Sequence, residues 1–125
     1  MAIVGTPQEQ IQKAITAHGI WKVRLGQTVE SGSADMTVDV ARSDNQCPVG
    51  QWLYGTIDPA LKASPHYAAV KEFHAKFHQA AGDVLALSLA RKKTEALGAM
   101  EFGSTFKQMS GKLVISLTAM GESVG

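Results

Sequence analysis

The sequence predicts an all-α protein, an antiparallel four-helix bundle in which one helix is short and irregular. Two observations support this prediction. Three long segments repeat apolar residues at spacings of three and four, and the connections between them are short. The chain has 125 residues, enough for one domain with its own core, so we expect residues 1–125 to form a single domain.

The first helix is predicted to run from about Pro7 to about Val29. Thr6 is a suitable N-cap, Pro7 fits the first helical position, and Glu9 can complete a capping box. Residues 30–46 are predicted to form a loop with a helical turn, because polar residues and glycine replace the apolar repeat there. The stripe of the first helix carries apolar residues and one histidine: Ile11, Ile15, His18, Trp21, Leu25 and Val29.

A short helix is predicted over Cys47 to Gly55. Ser43 or Asp44 is its expected cap, since both side chains can accept a backbone N–H. Trp52 is expected to act as a packing anchor because its indole can bury a large area. Gly50 is expected to allow close contact with a neighbouring helix.

Two further long helices are predicted in the second half of the chain. The first is expected to begin at Ser64-Pro65, with Ser64 as its cap, and to end near the basic run 91–93. The second is expected to be continuous from about Thr94 to Met120, although Gly98, Gly103 and Gly111 lower its helical propensity. Its apolar stripe is Ala99, Phe102, Phe106, Met109, Leu113, Leu117 and Met120.

Composition excludes several classes of partner and location. The net charge is +1 with no long block of like charges, so nucleic acid is not an expected partner. No apolar run reaches membrane-spanning length, and the N-terminus lacks the pattern of a signal peptide, so we expect a cytoplasmic protein without direct membrane insertion. A single cysteine excludes an intramolecular disulfide and suits a reducing compartment.

His74 and His78 are four residues apart and therefore lie on one face of the predicted helix that begins at Ser64-Pro65, one turn apart. Both imidazoles can reach one metal ion. Binding the ion would satisfy their buried ring nitrogens, each of which destabilises the fold by about 1–3 kcal/mol when it has no partner. A single histidine on an apolar stripe, such as His18, is more often a core residue than a ligand. His66 is interpreted as a surface or hydrogen-bonding residue.

Cys47 stands near the start of its helix, where backbone N–H groups and the helix dipole favour a thiolate. One cysteine and three histidines suit tetrahedral zinc, whereas calcium and magnesium prefer oxygen ligands. A di-iron site needs more inward carboxylates, and Glu72 is the one glutamate of the histidine-bearing helix before its basic end. We predict one zinc ion with four protein ligands and no open position for hydrolysis: His18, Cys47, His74 and His78.

Three motifs follow one another along the chain: His18-Gly-Ile-Trp21-Lys22, then Cys47-x-x-Gly50-x-Trp52-Leu53-Tyr54-Gly55, then His66 followed by His74-x-x-x-His78. This ordered set resembles the chemoreceptor zinc-binding domain family, and the resemblance extends from about Gln10 to Met120. It implies a cytoplasmic four-helix bundle that dimerises and binds zinc. Matched residue by residue, it implies the ligands His18, Cys47, His74 and His78.

The resemblance also implies a regulatory role rather than catalysis. Such a domain would modulate an attached or associated signalling output, such as a chemoreceptor or a diguanylate cyclase, in response to zinc or to oxidation of the zinc-bound cysteine. The expected partners are a second copy of the chain and that output module. Three alternatives remain open: a haemerythrin-like metal carrier, a small enzyme with Cys47 as nucleophile and a histidine as base, and a purely structural zinc domain.

Overall fold

The computed structural model describes residues 3–34, 36–101 and 103–124. Within these ranges the chain forms seven α-helices and one π-helical turn, and it contains no strand. The all-α prediction is therefore confirmed. The elements in chain order are α1 (Pro7–Ser31), α2 (Val38–Arg42), α3 (Pro48–Gln51), the π-helical turn (Trp52–Thr56), α4 (Pro59–Lys62), α5 (Tyr67–Leu89), α6 (Lys93–Ala99) and α7 (Thr105–Glu122).

The predicted start of α1 is confirmed. The Thr6 hydroxyl accepts the N–H of Glu9 at 3.1 Å, and the Glu9 carboxylate accepts the N–H of Thr6 at 3.1 Å, which completes the capping box. The helix ends where Gly32 adopts a φ of 70° and donates its N–H to the Thr28 carbonyl at 2.8 Å. Glycine adopts this left-handed conformation at little cost, so it terminates the helix sharply.

The segment that contains the cysteine is helical, as predicted, but its cap differs from the prediction. Neither Ser43 nor Asp44 caps α3. Cys47 itself occupies the N-cap position, and its sulfur accepts the N–H of Gly50 at 3.3 Å. The chain continues directly from α3 into the π-helical turn, an element that occurs frequently at functional sites.

The start of α5 differs from the prediction by a few residues. Ser64 is not its N-cap, because α5 begins at Tyr67 with His66 in the cap position. The Ser64 hydroxyl instead accepts the N–H of His66 at 3.1 Å within the preceding turn. The short helix α4 was not predicted, and Asp58 caps it by accepting the N–H of Ala60 at 2.8 Å.

The prediction of one continuous helix from Thr94 to Met120 is wrong. The chain forms α6, which ends at Ala99, and α7 instead, and in the connection between them Gly103 takes a φ of 90°, which is incompatible with a continuous α-helix. Ser104 then begins α7 by accepting the N–H of Lys107 at 3.2 Å. Phe102, predicted on the stripe of this helix, lies outside the described residues.

Helix α5 contacts α1, α2, α6 and α7, so its buried face organises the core. Phe77 of α5 is fully buried, and its ring meets those of His18, Trp21 and Phe106 at centroid distances of 4.4, 6.0 and 5.0 Å. The histidines of the predicted metal site therefore lie among the side chains of the core. None of the helices in the described ranges has the length and apolar character that crossing a bilayer requires.

Candidate metal centre

Helix α5 brings His74 and His78 together in the interior. Their side chains project from successive turns of one face, with Nε2 atoms 3.1 Å apart and ring centroids 4.6 Å apart. Only 1% of His74 and 2% of His78 is exposed to solvent. The spacing of four residues therefore gives two imidazole nitrogens that point at one buried position, as predicted.

Cys47 completes a group of three from a different part of the chain. Its sulfur lies 3.3 Å from Nε2 of His74 and 3.3 Å from Nε2 of His78, and the residue is 7% exposed. The tight turn before α3 allows the Cys47 sulfur to approach the two imidazoles. At Gly50 a β-carbon would lie 1.7 Å from the carbonyl oxygen of Asp44, so this close approach requires glycine. Gly50 thus packs against the preceding loop and not, as expected, against a neighbouring long helix.

His78 is oriented by contacts on both sides of its ring. Its Nδ1–H donates to the carbonyl oxygen of Ala41 in α2 at 2.9 Å, and the Trp21 indole packs edge-on against it at a centroid distance of 5.1 Å. Since a carbonyl can only accept, Nδ1 carries the proton and Nε2 presents its lone pair toward Cys47. Metal-binding histidines commonly have such a partner on the ring nitrogen that does not bind the metal.

Burial sets the charges of these groups. It lowers the pKa of His74 to about 3, with further lowering from His78 and His18, and it also lowers the pKa of His78. Burial raises the pKa of the Cys47 thiol, and the N–H of Gly50 opposes this rise. The imidazoles are consequently neutral at pH 7, which is the form that binds metals.

The donor group fits zinc. Sulfur and nitrogen ligands of tetrahedral zinc lie roughly 3.6 Å apart, and two nitrogen ligands roughly 3.3 Å apart, given bond lengths of about 2.3 and 2.0–2.1 Å. The corresponding distances here are 3.3 Å from the sulfur to each Nε2 and 3.1 Å between the two Nε2 atoms. Within the described residues, Nδ1 of His74 is a buried nitrogen without a hydrogen-bond partner. The site thus combines converging ligand atoms with incomplete hydrogen bonding.

His18 lies beside this group but is not part of it. The ligand atoms of Cys47, His74 and His78 all fall within 4.8 Å of one another, and that group does not include His18. Nε2 of His18 instead lies 2.9 Å from the hydroxyl oxygen of Ser110 in α7. His18 is nevertheless buried, lines the same small cavity as the other three, and has its pKa lowered by burial to about 4.

Comparison with known families decides the classification. A family model described as the chemoreceptor zinc-binding domain matches residues 18–85, which is more than half of the 125-residue chain. The chain belongs to this family. No curated protein and no solved structure matches it. The match extends from His18 past the histidine pair, and it confirms the resemblance drawn from the motifs.

As a member of the chemoreceptor zinc-binding domain family, the chain has zinc as its cofactor, and Cys47, His74 and His78 form its candidate metal site. His66 lies apart from them in the turn before α5 and is half-buried.

Two residues that support the site escaped the sequence reasoning. Gln10 is buried, and its Oε1 accepts the indole N–H of Trp52 at 2.9 Å and the backbone N–H of Asp58 at 3.0 Å. Ser110 holds His18, as described above. The available signal was weak in both cases, since each is one polar residue next to an apolar stripe.

Proposed function

We propose that this chemoreceptor zinc-binding domain is a sensory domain that regulates an attached or associated signalling output, such as a chemoreceptor or a diguanylate cyclase. The stimulus in this proposal is zinc itself or oxidation of Cys47. The observation that carries the proposal is the convergence of the Cys47 sulfur with Nε2 of His74 and of His78 in a buried position. Family membership supports the link to chemotaxis and signalling.

The placement of Cys47 gives the site a component that can move. His74 and His78 are fixed on the long helix α5, whereas Cys47 caps a helix of four residues. Bound zinc would stabilise the thiolate and hold it against the two imidazoles. Oxidation adds an oxygen atom to the sulfur. Because both Nε2 atoms and the N–H of Gly50 lie 3.3 Å from that sulfur, the added oxygen requires the turn around Cys47 to shift.

The same proposal includes the architecture and the partners. Gln8 bonds to Gly121, and His18 bonds to Ser110. Residue numbers therefore increase along α1 in the direction in which they decrease along α7, which supports an antiparallel bundle. Exposed apolar side chains on these two helices support a homodimer: Ile20 and Val23 on α1, and Ile115 on α7. Family membership supports a cytoplasmic location.

We propose His18 as the fourth ligand, with the Ser110 hydroxyl as its partner when the metal is absent. Ser110→Ala should therefore lower the free energy of unfolding of the metal-free protein by about 1 kcal/mol, since it removes a buried hydrogen bond. It should change zinc affinity far less than His18→Ala does. Equal losses of zinc affinity in the two variants would instead mean that Ser110 orients His18 in the zinc-bound protein.

The experiment that tests the function measures the metal content and the zinc affinity of the purified chain. We expect one zinc per chain by mass spectrometry, and a loss of zinc affinity in Cys47→Ala, His74→Ala and His78→Ala, with His66→Ala as the matched control. Iron, or no metal after purification without chelators, would contradict the proposal.

Sensing is separated from a structural role by hydrogen exchange of residues 44–56. We compare the zinc-loaded protein before and after treatment with hypochlorous acid. Sensing predicts faster exchange in this segment and unchanged exchange in the middle of α5. A purely structural zinc predicts either no change or loss of protection throughout the fold.

A further inference from the structure

Met36 lies where three cavities on one side of the molecule meet. The first, of about 220 Å³, is lined by Met36 and Val40 together with Trp21, Cys47 and His78. The other two, of about 330 and 420 Å³, also have Met36 in their walls. Met36 is half-buried and packs against the core, so its side chain stands in the wall that the two outer cavities share with the cavity beside the candidate metal site.

The inner cavity ends on the reactive atoms of the site. Cys47 and His78 are otherwise enclosed, with exposures of 7% and 2%. A small molecule that enters through the outer cavities passes the Met36 thioether before it reaches the Cys47 sulfur.

We propose that Met36 is an oxidation site that controls access to Cys47, with small two-electron oxidants such as hydrogen peroxide as the reactants. The thioether sulfur attacks one peroxide oxygen, the S–O bond forms, and the O–O bond breaks. The proton on the transferred oxygen passes to the departing hydroxide, so the sulfur is oxidised by two electrons to the sulfoxide and the peroxide is reduced to one water molecule. This inference deepens the proposed function, since it names a second group that regulates the same site.

The consequence of the reaction follows from the surroundings of Met36. Trp21, Val40 and Pro48 supply an apolar wall, and Arg24 and Gln46 are the polar residues of that cavity besides Cys47 and His78. A sulfoxide oxygen is a strong hydrogen-bond acceptor and is unfavourable against apolar surface. The oxidised side chain therefore leaves its contact with the core and opens the path to Cys47.

The other described methionines provide the comparison. Met109 and Met120 are buried in α7, so they should be oxidised slowly. Met100 is half-buried like Met36 but lies at the end of α6 and lines none of these three cavities. Met100 is thus a control that is matched in exposure and differs in position.

The first test is limited treatment of the full chain with hydrogen peroxide, followed by peptide mass spectrometry. The sulfoxide should form at Met36 before Met109 and Met120. Oxidation of Met36 no faster than that of the two buried methionines would overturn the proposal.

The second test measures the rate at which iodoacetamide alkylates Cys47 in the metal-free protein. Met36→Gln, which imitates the polar sulfoxide, should raise this rate roughly tenfold, because an unpaired polar group disfavours the closed position by about that factor. Met36→Leu and Met100→Gln should match the wild type. Wild type that is treated with peroxide and then with a thiol reductant, which restores the Cys47 thiol but leaves the methionine sulfoxide, should behave like Met36→Gln, and this sample tests the proposal if the variant folds poorly. Equal rates in treated and untreated protein would overturn the proposal.

A parallel measurement separates this inference from the proposed function. Zinc release to a colorimetric chelator should be faster from Met36→Gln than from Met36→Leu. If the wild type binds no zinc, the proposed function fails, and the alkylation rates of the metal-free protein still decide whether Met36 controls access.

Discussion

His78 and Ala41 are joined by a hydrogen bond of 2.9 Å from the imidazole Nδ1–H to the backbone carbonyl oxygen. The bond links the metal centre in α5 to the short helix α2, which precedes the cysteine. Arg42 of α2 also bonds to Asp83 of α5 at 2.8 Å, and its side chain packs over Gly82. The orientation of this imidazole of the candidate metal site therefore depends on how closely α2 approaches α5.

Gly82→Ala tests this dependence. A β-carbon at Gly82 would lie 2.1 Å from Cγ of Arg42, so either the Arg42 side chain turns away and gives up its bond to Asp83, or α2 moves away from α5. We expect the His78–Ala41 bond to lengthen and zinc affinity to fall about 10- to 100-fold, as is typical when a partner of a metal-binding histidine is lost. Competition with a fluorescent zinc chelator measures the affinity.

Gly111→Ala is the matched control for that variant. Gly111 lies within α7, and a β-carbon there meets no atom within 4 Å. The substitution should leave zinc affinity unchanged and stabilise the helix by up to about 1 kcal/mol. If Gly82→Ala kept wild-type affinity, the contact of Arg42 with Gly82 would have no role in orienting His78.

Gly50→Ala should displace Cys47 from the site. The new β-carbon would lie 1.7 Å from the backbone oxygen of Asp44, which cannot move aside as a flexible side chain could. We expect a loss of about 3 kcal/mol in the free energy of unfolding and loss of the cysteine as a ligand. Urea unfolding and cobalt substitution, in which the thiolate–cobalt absorption reports on the cysteine, measure the two effects.

Gly55→Ala serves as the control for the Cys47 segment. Gly55 lies in the π-helical turn, where a β-carbon would meet no atom within 4 Å. Its cobalt spectrum should match that of the wild type. A normal thiolate–cobalt band in Gly50→Ala would show that the turn tolerates the β-carbon and that the position of Cys47 does not depend on this glycine.

The parts of the fold that sequence predicted are those that local chemistry determines. The capping box of Thr6 and Glu9 fixed the start of α1, and the four-residue spacing of His74 and His78 placed both rings on one face. These features depend on residues within one or two helical turns. The motif around Cys47 identified the third member of the site through its resemblance to a known family.

The parts that sequence missed depend on distant contacts or on backbone conformation. The apolar repeat does not distinguish Gly103, which has a φ of 90° in the connection between α6 and α7, from Gly111, which lies within α7. The bond between His18 and Ser110 joins residues 92 positions apart, so helical periodicity could not reveal it. Whether His18 binds the metal thus stays a prediction.

Acid should destabilise the metal-free protein. Burial lowers the pKa of His18 to about 4 and that of His74 to about 3, whereas an unfolded chain binds these protons near pH 6.5. Above about pH 6.5 both imidazoles are unprotonated in the folded and in the unfolded chain, so they make the free energy of unfolding independent of pH. Below it the unfolded state binds protons that the folded state does not, so the free energy of unfolding falls by about 1.4 kcal/mol per pH unit for each histidine.

Urea titrations between pH 7 and pH 4 in the presence of a chelator measure this slope. Replacement of one of the two groups, His74→Gln, should reduce the slope between about pH 6 and pH 4 by about 1.4 kcal/mol per unit. A free energy of unfolding that stayed constant down to pH 4 would mean that both imidazoles accept protons within the fold.

Gln10 joins α1 to the segment that follows the cysteine, and its loss should loosen that segment. Its Oε1 accepts the N–H groups of Trp52 and Asp58, and its Nε2 donates to the carbonyl of Gly5 at 2.9 Å. Gln10→Ala leaves the buried indole N–H of Trp52 without an acceptor, so we expect a cost of roughly 3 kcal/mol in the free energy of unfolding. The exposed Gln12 of the same helix is the control, and Gln12→Ala should cost less than about 0.5 kcal/mol.

Exchange of the Trp52 indole proton, followed by NMR, tests the local consequence for Gln10→Ala. Because Trp52 follows directly after the helix that Cys47 caps, its release should speed indole exchange and also raise the rate of Cys47 alkylation in the metal-free protein. Faster indole exchange with an unchanged alkylation rate would mean that the cysteine turn is held by the Gly50 contact alone. In that case the sensing movement would be confined to residues before the π-helical turn.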